Sequence, residues 1–266
     1  MTRLKAEWIS DMDVEIQEYD NKLYDKIGMS LLDLAAKANE IGSGRIVDAA
    51  KTYKVAAIPI AAGEGIISNF SHSVAAILRQ LGFKTIVTEG TDVNGIYEAY
   101  DRRVDCLFMA DDNRFIGINK TKNLISCNNT ATAKGYIAAL EQMSGCLKGR
   151  QVLILGYGII GQLMLKIIKA KEGIPKIYEK DPSKTANLPS NMLLSDPNSI
   201  KDYPLIVDAT NTGGWINEGM LHEEFLMAAP GIPLSLDEKT HLKYSERVVH
   251  DWLQIGTAVM MGELCK

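Results

Sequence analysis

The sequence feature that most constrains this chain is a glycine-spaced turn between two apolar segments. Residues 152–155 form an unbroken apolar run, as a strand buried on both faces of a parallel sheet requires. Gly156, Gly158 and Gly161 follow in the spacing G-x-G-x-x-G, and residues suited to a buried helix continue to Ile168. A strand, a glycine turn and a helix in this order are typical of the first half of a dinucleotide-binding unit.

Each glycine of this turn has its own predicted role. Gly156 permits the tight turn, and Gly161 lets the helix pack closely against the strand. Gly158 lets the backbone approach a pyrophosphate, whose negative charge the N-terminus of the helix favours. The other predicted contacts in this turn are Tyr157, Ile159 and Ile160. The alternative interpretation is three glycines that serve packing alone.

An acidic pair follows the next predicted strand, about 20 residues after the turn, as the dinucleotide fingerprint requires. Glu179 stands where a carboxylate accepts the adenosine ribose hydroxyls, while Asp181 before Pro182 is more typical of a turn. An acid at this position repels a 2′-phosphate, so the expected cofactor is NAD and not NADP. Lys180 and Lys184 weaken this preference for NAD over NADP. We also include Lys180 among the predicted cofactor contacts.

Two later strand ends complete the predicted cofactor site. Residues 203–209 form an apolar strand, and we expect the loop after it to lie beside the nicotinamide ribose. A turn rich in small polar residues fits the same composition, so only the position after the strand favours function. The predicted contacts in the two loops are Thr210, Asn211, Thr212, Pro230 and Gly231.

Strands and helices also alternate before the glycine turn, which predicts a second sheet. The expected fold class is therefore α/β with two α/β domains. Residues 1–125 form a smaller parallel-sheet substrate domain, and residues 126–266 form a Rossmann NAD-binding domain. In such sheets, ligands bind beyond the carboxyl ends of the strands.

Small and acidic residues follow two strand ends of the first domain. Gly63, Glu64 and Ser68 follow one strand and are predicted to contact the substrate. Asp111 and Asp112 close another apolar strand and are the predicted catalytic residues. One interpretation of this pair is a solvated turn. The other is that one aspartate holds a substrate ammonium group or takes a proton from it.

The first ten residues are short and amphipathic, with Leu4, Trp8 and Ile9 able to share one helical face. One interpretation is a terminal helix that only packs against the domain. The other is a mobile lid that carries Leu4 and Trp8 onto the substrate.

The composition excludes several classes of function. A formal net charge of -4 favours neither nucleic acid nor an anionic membrane as a partner. No apolar segment is long enough to span a bilayer, and the polar N-terminus is not a secretory signal. The cysteines lie far apart without a C-x-x-C pair, which indicates reduced thiols in a cytoplasmic protein. Neither cysteines nor histidines have the spacing of metal ligands, so no metal is predicted.

Three stretches of the chain resemble the pyrrolysine synthase family. They are Ile58-Pro59-Ile60-Ala61-Ala62-Gly63-Glu64-Gly65-Ile66-Ile67, Phe108-Met109-Ala110-Asp111-Asp112-Asn113-Arg114-Phe115 and Ala229-Pro230-Gly231-Ile232-Pro233. The glycine turn and the loop Asp208-Ala209-Thr210-Asn211-Thr212-Gly213-Gly214 are similar, more broadly, to amino-acid dehydrogenases. The resemblance covers essentially the whole chain.

The resemblance implies a specific reaction. The substrate is a lysine whose side-chain nitrogen is acylated by 3-methyl-D-ornithine, and NAD⁺ takes a hydride from the carbon that bears the terminal amine of the ornithine moiety. The resulting imine loses ammonia and closes to the pyrroline ring of pyrrolysine. Larger amino-acid dehydrogenases use a lysine as the base. Here the nearest candidates, none at an obvious strand end, are Lys120, Lys122 and Lys134.

The base therefore stays open between a carboxylate of Asp111 or Asp112 and direct loss of the proton to water. Two other functions also fit the residues. One is a small NAD(P)-dependent dehydrogenase that acts on a folate-linked carbon or a shikimate-like acid. The other is a non-catalytic protein that binds NAD as a sensor. The residues leave the oligomeric state open, and a homodimer is among the assemblies that they allow.

Overall fold

The computed structural model describes residues 6–266, and the chain divides into two compact units. The first unit contains Met1–Thr132 together with Trp252–Lys266, and the second contains Ala133–Asp251. Each unit has a sheet with helices, which confirms the predicted α/β class. The division differs from the single boundary expected near residue 125, because the last helix of the chain packs within the first unit.

The first unit opens with helices and continues as alternating strands and helices. A short 3₁₀ helix at Ala6–Trp8 precedes α1 (Met12–Ile27), α2 (Leu31–Ala38) and α3 (Ser43–Thr52). Strand β1 (Lys54–Ile58) leads to α4 (Phe70–Gln80), and β2 (Lys84–Val87) leads to α5 (Asp92–Asp101). The sheet is completed by β3 (Cys106–Ala110), β4 (Phe115–Asn119) and β5 (Leu124–Cys127).

The sheet of the first unit was predicted to be parallel, but it is parallel in only one half and antiparallel in the other. Its order is β2-β1-β3-β4-β5, with β1, β2 and β3 parallel to each other. Strands β4 and β5 run antiparallel to their neighbours, and the sequence did not predict β5. The connections at residues 111–114 and 120–123 are too short for the helical crossover that a parallel strand needs.

The sheet of the second unit is parallel throughout. Helix α6 (Asn128–Ser144) precedes β6 (Gln151–Leu155), α7 (Ile159–Ala170) and β7 (Ile174–Tyr178). Strands β8 (Leu205–Asp208) and β9 (Leu226–Ala229) follow, then α8 (Glu238–Lys243) and β10 (Val248–His250). The order β10-β9-β8-β6-β7 means that the chain changes direction across the sheet between β7 and β8. The carboxyl ends of β6 and β8 therefore flank the topological switch point, where ligands bind in such sheets.

Helix α9 (Gln254–Leu264) forms part of the core of the first unit. It packs against α2 and α4, and nearly every residue in it is buried. The side-chain amide of Asn39, at the end of α2, donates to the carbonyl oxygens of Ala35 at 3.0 Å and Val259 at 2.8 Å. Gly262 lies beside this amide, so α2 and α9 approach each other where one helix has no side chain. In the part of the chain that the structure describes, no helix combines the length and apolarity needed to cross a bilayer.

Replacing Gly262 with alanine should destabilise the first unit. The added Cβ would lie 2.7 Å from Nδ2 of Asn39 and 3.0 Å from the carbonyl oxygen of Ala35. Overpacking of this kind typically costs about 1–3 kcal/mol, and the better helix propensity of alanine offsets only about 1 kcal/mol of it. We expect a lower midpoint of thermal unfolding by circular dichroism.

The matched control is Gly44→Ala in α3. A Cβ at Gly44 would meet no described atom within 4 Å, so its midpoint should stay unchanged or rise slightly. Equal shifts in the two variants would show that close packing of α2 against α9 does not require Gly262.

Candidate functional site

The glycine turn lies where β6 runs into α7, at the carboxyl edge of the second sheet. Gly156 has a φ of 85°, and a Cβ there would lie 2.9 Å from the carbonyl oxygen of Ala209, just after β8. A Cβ on Gly161 would lie 2.1 Å from the carbonyl oxygen of Gly156. Both positions therefore require glycine, one for the turn and one for the close approach of α7.

Gly158 differs from its two neighbours in the motif. A Cβ at this position would meet no described atom of the protein within 4 Å. Gly158 is the N-cap of α7, and within residues 6–266 no side-chain hydrogen bond caps this 12-residue helix. The amides of the first turn, at Ile159 and Ile160, thus point outward from a helix end that attracts negative charge.

Glu179 follows β7 directly and is hydrogen-bonded to the glycine turn. Its Oε2 accepts from the amide of Tyr157 at 2.7 Å, and its Oε1 accepts from the amide of Asp181 at 2.9 Å. The ammonium of Lys184 lies 3.8 Å from Oε1, and only 9% of the Glu179 side chain is exposed. The acid therefore links the end of β7 to the glycine turn, and each of its oxygens accepts one backbone amide.

The two residues after Glu179 make different contacts. The carboxylate of Asp181 accepts from the hydroxyl and the amide of Ser183, which lowers its pKa and marks it as a turn residue. The ammonium of Lys180 lies 5.0 Å from the ring centroid of Trp215, which packs beside Tyr178. The sequence analysis did not single out Trp215, because no local pattern links it to the end of β7.

The predicted contacts after β8 and β9 lie at the same edge of the sheet. Thr210 and Pro230 are half-buried, Asn211 and Thr212 are exposed, and Gly231 is buried. Asp208, the last residue of β8, is fully buried and is hydrogen-bonded to Thr210 and Gly231. Burial raises the pKa of Asp208, against hydrogen bonds from Ser235 and Thr210 that lower it. The sequence analysis did not count it as a site residue, although an acid closing an apolar strand was the available signal.

The two aspartates after β3 have different environments. Asp111 is exposed, and its Oδ1 accepts from the amides of Asn113 at 2.8 Å and Arg114 at 2.7 Å. The hydrogen bonds from Arg114 and Asn113 lower the pKa of Asp111, so this carboxyl is ionised near neutral pH. Asp112 instead contacts a different loop, since its Oδ2 accepts from the amide of Glu64 at 2.8 Å.

The loop between β1 and α4 is therefore joined to the loop after β3. Gly63 has a φ of 76°, and a Cβ there would lie 1.9 Å from Oδ2 of Asp112. Glu64 and Ser68 are exposed on the same loop. The structure thus brings Gly63 and Glu64 together with Asp112, whereas Ser68 makes none of these contacts.

The predicted lid residues are described only in part, since Leu4 lies outside the described residues. The indole of Trp8 stacks on that of Trp252, with ring centroids 4.9 Å apart and an angle of 14° between the planes. Ile9 is buried, and its carbonyl oxygen accepts from the hydroxyl of Ser73 at 3.0 Å. The end of this segment is therefore packed against the first unit.

Lys120 and Lys122, which were considered as a base, make contacts elsewhere in the first unit. The ammonium of Lys120 lies 4.0 Å from the ring centroid of Tyr100. Lys122 donates to the carbonyl oxygen of Lys266 at 2.7 Å. Across residues 6–266, no three histidine, cysteine, aspartate or glutamate side chains are grouped as metal ligands.

Sequence comparisons match both parts of the chain. The family described as "Pyrrolysine biosynthesis protein PylD, N-terminal domain" matches residues 9–126. Pyrrolysine synthase of Methanosarcina barkeri is 29% identical over 265 residues, which cover 98% of this chain and 97% of that protein. Pyrrolysine synthase of Methanosarcina acetivorans is 31% identical over 212 residues, which cover 78% of this chain and 81% of that protein.

Solved structures of dehydrogenases are similar in fold. Shikimate 5-dehydrogenase of Thermus thermophilus, in complex with NADP(H) and shikimate, has a TM-score of 0.51 at 13% identity, covering 80% of this chain and 92% of that one. Quinate dehydrogenase of Corynebacterium glutamicum, in complex with NAD, has a TM-score of 0.51 at 12% identity, covering 80% and 93%. The structures establish a shikimate dehydrogenase-like fold, and the sequence relatives confirm the resemblance found in the motifs. The chain belongs to the pyrrolysine synthase family, enzymes of pyrrolysine biosynthesis with a dehydrogenase-like fold.

Proposed function

We propose that this protein uses NAD to oxidise the terminal amine of the ornithine moiety in L-lysine-Nε-3-methyl-D-ornithine, and that the product closes to pyrrolysine. The observation that carries the proposal is the glycine turn with an acid at the end of β7, in a member of the pyrrolysine synthase family. The decisive assay supplies the purified protein with this substrate and NAD. NADH is followed by absorbance, and ammonia and pyrrolysine are quantified.

The residues at the carboxyl edge of the second sheet fit a dinucleotide. The open position at Gly158 and the uncapped helix end would receive the pyrophosphate, and Glu179 would accept the ribose hydroxyls. Lys180, Asp181 and the loops after β8 and β9 would complete the contacts. NAD would supply the acceptor for a hydride, which is the chemistry that the protein's own side chains lack.

The reaction requires a neutral amine on the carbon that is oxidised and a substrate chain that is folded for ring closure. The carbon loses a hydride readily only when its amine is neutral, because the nitrogen lone pair forms the new C=N bond. The α-amine of the same moiety can then attack the imine carbon, and ammonia leaves as the ring C=N bond forms. This attack is intramolecular, so a cavity that holds the chain folded suffices for ring closure.

We propose that Asp111 holds an ammonium group of the substrate. The carboxylate is exposed beyond the end of β3 and is ionised, since backbone amides lower its pKa. A carboxylate with a lowered pKa orients a cation better than it accepts a proton. The proton of the reacting amine would then pass to water, while Asp112 would hold the loop that contains Gly63 and Glu64.

Leu4, Trp8, Gly63, Glu64 and Ser68 are proposed as further substrate contacts. For Trp8, the alternative is packing alone, as its stack on Trp252 allows. Trp8→Ala should raise the KM for the amine substrate if the indole contacts it. Unchanged kinetic constants with a lower melting temperature would leave Trp8 as a packing residue.

Gly158→Ala should weaken NAD binding without unfolding the protein. The methyl group meets no described protein atom, so the fold tolerates it, but it occupies the space that a pyrophosphate needs. We expect at least about a tenfold rise in the Kd for NAD, which corresponds to about 1.4 kcal/mol, by calorimetric titration.

Gly161→Ala provides the contrast in the same turn. Its Cβ would lie 2.1 Å from a backbone oxygen, so this variant should lose thermal stability, whereas Gly158→Ala keeps it. Wild-type NAD affinity in a folded Gly158→Ala protein would remove the dinucleotide assignment itself.

Glu179→Ala should raise the KM for NAD by about ten- to a hundred-fold, because a hydrogen bond to a charged group contributes about 1.5–3 kcal/mol. Glu179→Gln can keep an acceptor for the Tyr157 amide, loses the acceptor for the Asp181 amide, and removes the charge that repels a 2′-phosphate. It should therefore narrow the preference for NAD over NADP, measured as the ratio of kcat/KM values.

Glu172→Ala is the control for removal of an acid, since Glu172 forms an exposed pair with Lys148. Its KM for NAD should equal that of the wild type. If the KM for NAD is unchanged in Glu179→Ala, the ribose contact must be reassigned to Asp181, or no acid at this strand end makes it.

Asp111→Asn should lower kcat/KM for the amine substrate by about ten- to a hundred-fold, because a hydrogen bond to a charged group contributes about 1.5–3 kcal/mol. Asparagine can still accept from the amides of Asn113 and Arg114, so the turn keeps its shape while the charge is lost. The Kd for NAD should not change, because the residue belongs to the first unit. A near-normal kcat/KM here, with loss in Asp112→Asn, would assign the ammonium contact to Asp112.

A further inference from the structure

Two loops of the second unit are joined along their length by backbone hydrogen bonds. We call residues 209–216 the β8 loop and residues 230–237 the β9 loop. The amide of Gly214 donates to the carbonyl oxygen of Leu234 at 3.0 Å, and the amide of Ile216 donates to the carbonyl oxygen of Ser235 at 2.9 Å. The carbonyl oxygen of Ile216 in turn accepts from the amide of Asp237 at 2.9 Å. The two loops therefore form a short parallel bridge beyond the ends of β8 and β9.

Glycines bring the two loops within direct contact. A Cβ on Gly231 would lie 2.5 Å from the carbonyl oxygen of Thr210, and a Cβ on Gly213 would lie 2.9 Å from Cβ of Pro233. Neither position has room for a side chain unless the opposite backbone moves. The two loops are therefore in direct contact at both positions.

The carboxylate of Asp208 lies at the base of both loops. Its Oδ1 accepts from the amide of Thr210 at 3.0 Å and from the Thr210 hydroxyl at 2.7 Å. Its Oδ2 accepts from the amide of Ser235 at 3.3 Å, so one side chain binds a donor in each loop. The backbone oxygen of Asp208 also accepts from the amide of Gly231 at 2.8 Å.

Burying a carboxylate completely, as at Asp208, costs free energy of folding. The groups around both of its oxygens are hydrogen-bond donors, so each oxygen must be an acceptor. Asparagine would supply one acceptor oxygen and one NH₂ group. The NH₂ group would face the donors of either Thr210 or Ser235, and a donor facing a donor repels. The arrangement therefore requires an acid with both oxygens engaged.

We propose that Asp208 is a positioning residue that holds the β8 and β9 loops in one arrangement, and so places the NAD contacts carried by both. It acts through Thr210 and Ser235, because its buried carboxylate has no surface of its own to offer a ligand. This inference rests on the proposed function for the identity of the ligand. The joining of the two loops stands on the hydrogen bonds alone.

The experiment compares Asp208→Asn with Asp196→Asn in the full-length protein. Asp196 accepts from the amide and the side chain of Asn198 in an exposed turn of the same unit, outside both loops. Asp208→Asn should raise the KM for NAD at least about tenfold, because the NAD contacts in both loops lose their fixed positions, and it should leave the KM for the amine unchanged. Asp196→Asn should change neither constant. A purely structural role would lower the amount of active protein and leave both KM values alone.

Hydrogen–deuterium exchange on the protein without NAD gives a second measurement that does not depend on cofactor binding. Asp208→Asn should speed exchange in both loops together, while the peptides of β6 and α7 keep their protection. Faster exchange in the β8 loop alone would overturn the proposal, as would unchanged exchange in both loops. Absence of NAD binding in the wild type would contradict the proposed function, and the exchange result would still decide whether Asp208 joins the loops.

Thr210→Val serves if Asp208→Asn does not fold. Valine keeps the shape of threonine and removes the hydroxyl donor to Oδ1 of Asp208. It should speed exchange in both loops to a smaller extent, because the amide contacts of Asp208 remain. Where both variants fold, their effects on exchange should be non-additive in the double variant, since the two groups share one hydrogen bond. Additive effects would contradict action of Asp208 through Thr210.

Discussion

The fold of the second unit depends on the close approach of helix α7 to the glycine turn that precedes it. No side chain lies between their backbones at the point of contact. Gly161 lies so close to the carbonyl oxygen of Gly156 that a Cβ would be 2.1 Å from it. This contact fixes where α7 begins and directs its first amides to the edge of the sheet. Gly156, with its positive φ, brings the same turn against Ala209 at the end of the neighbouring strand. A single turn thus determines the positions of a helix end and of the loop after β8.

Three acids at strand ends illustrate how environment separates their roles. Asp111 is exposed and ionised, because two backbone amides lower its pKa. Glu179 is nearly buried and binds two amides of the polypeptide while it stands beside the glycine turn. Asp208 is fully buried and joins two loops, and burial raises its pKa. The proposed roles of holding a cation, accepting ribose hydroxyls and positioning loops follow this order of decreasing exposure.

Much of the fold and part of the candidate site could be predicted from local patterns. The strand before Gly156, the helix after Gly161 and the acid at Glu179 are all set by periodicity and motif spacing over short stretches of the chain. The β4–β5 hairpin was missed in part, because β5 is only four residues long, Leu124–Cys127, and merges into a helix. The contact of Asp208 with Ser235 was also missed, since 27 residues separate the two in the sequence.

The sequence by itself determined the α/β class, the glycine turn between β6 and α7, and the family, because each depends on residue types at fixed local spacing. Tertiary structure alone decided that α9 packs with the first unit, that Asp112 binds the loop of Gly63 and Glu64, and that Asp208 joins two loops. These contacts join residues far apart in the chain. They form only when the strand order and the helix packing have brought their backbones together, and no local pattern encodes that distance.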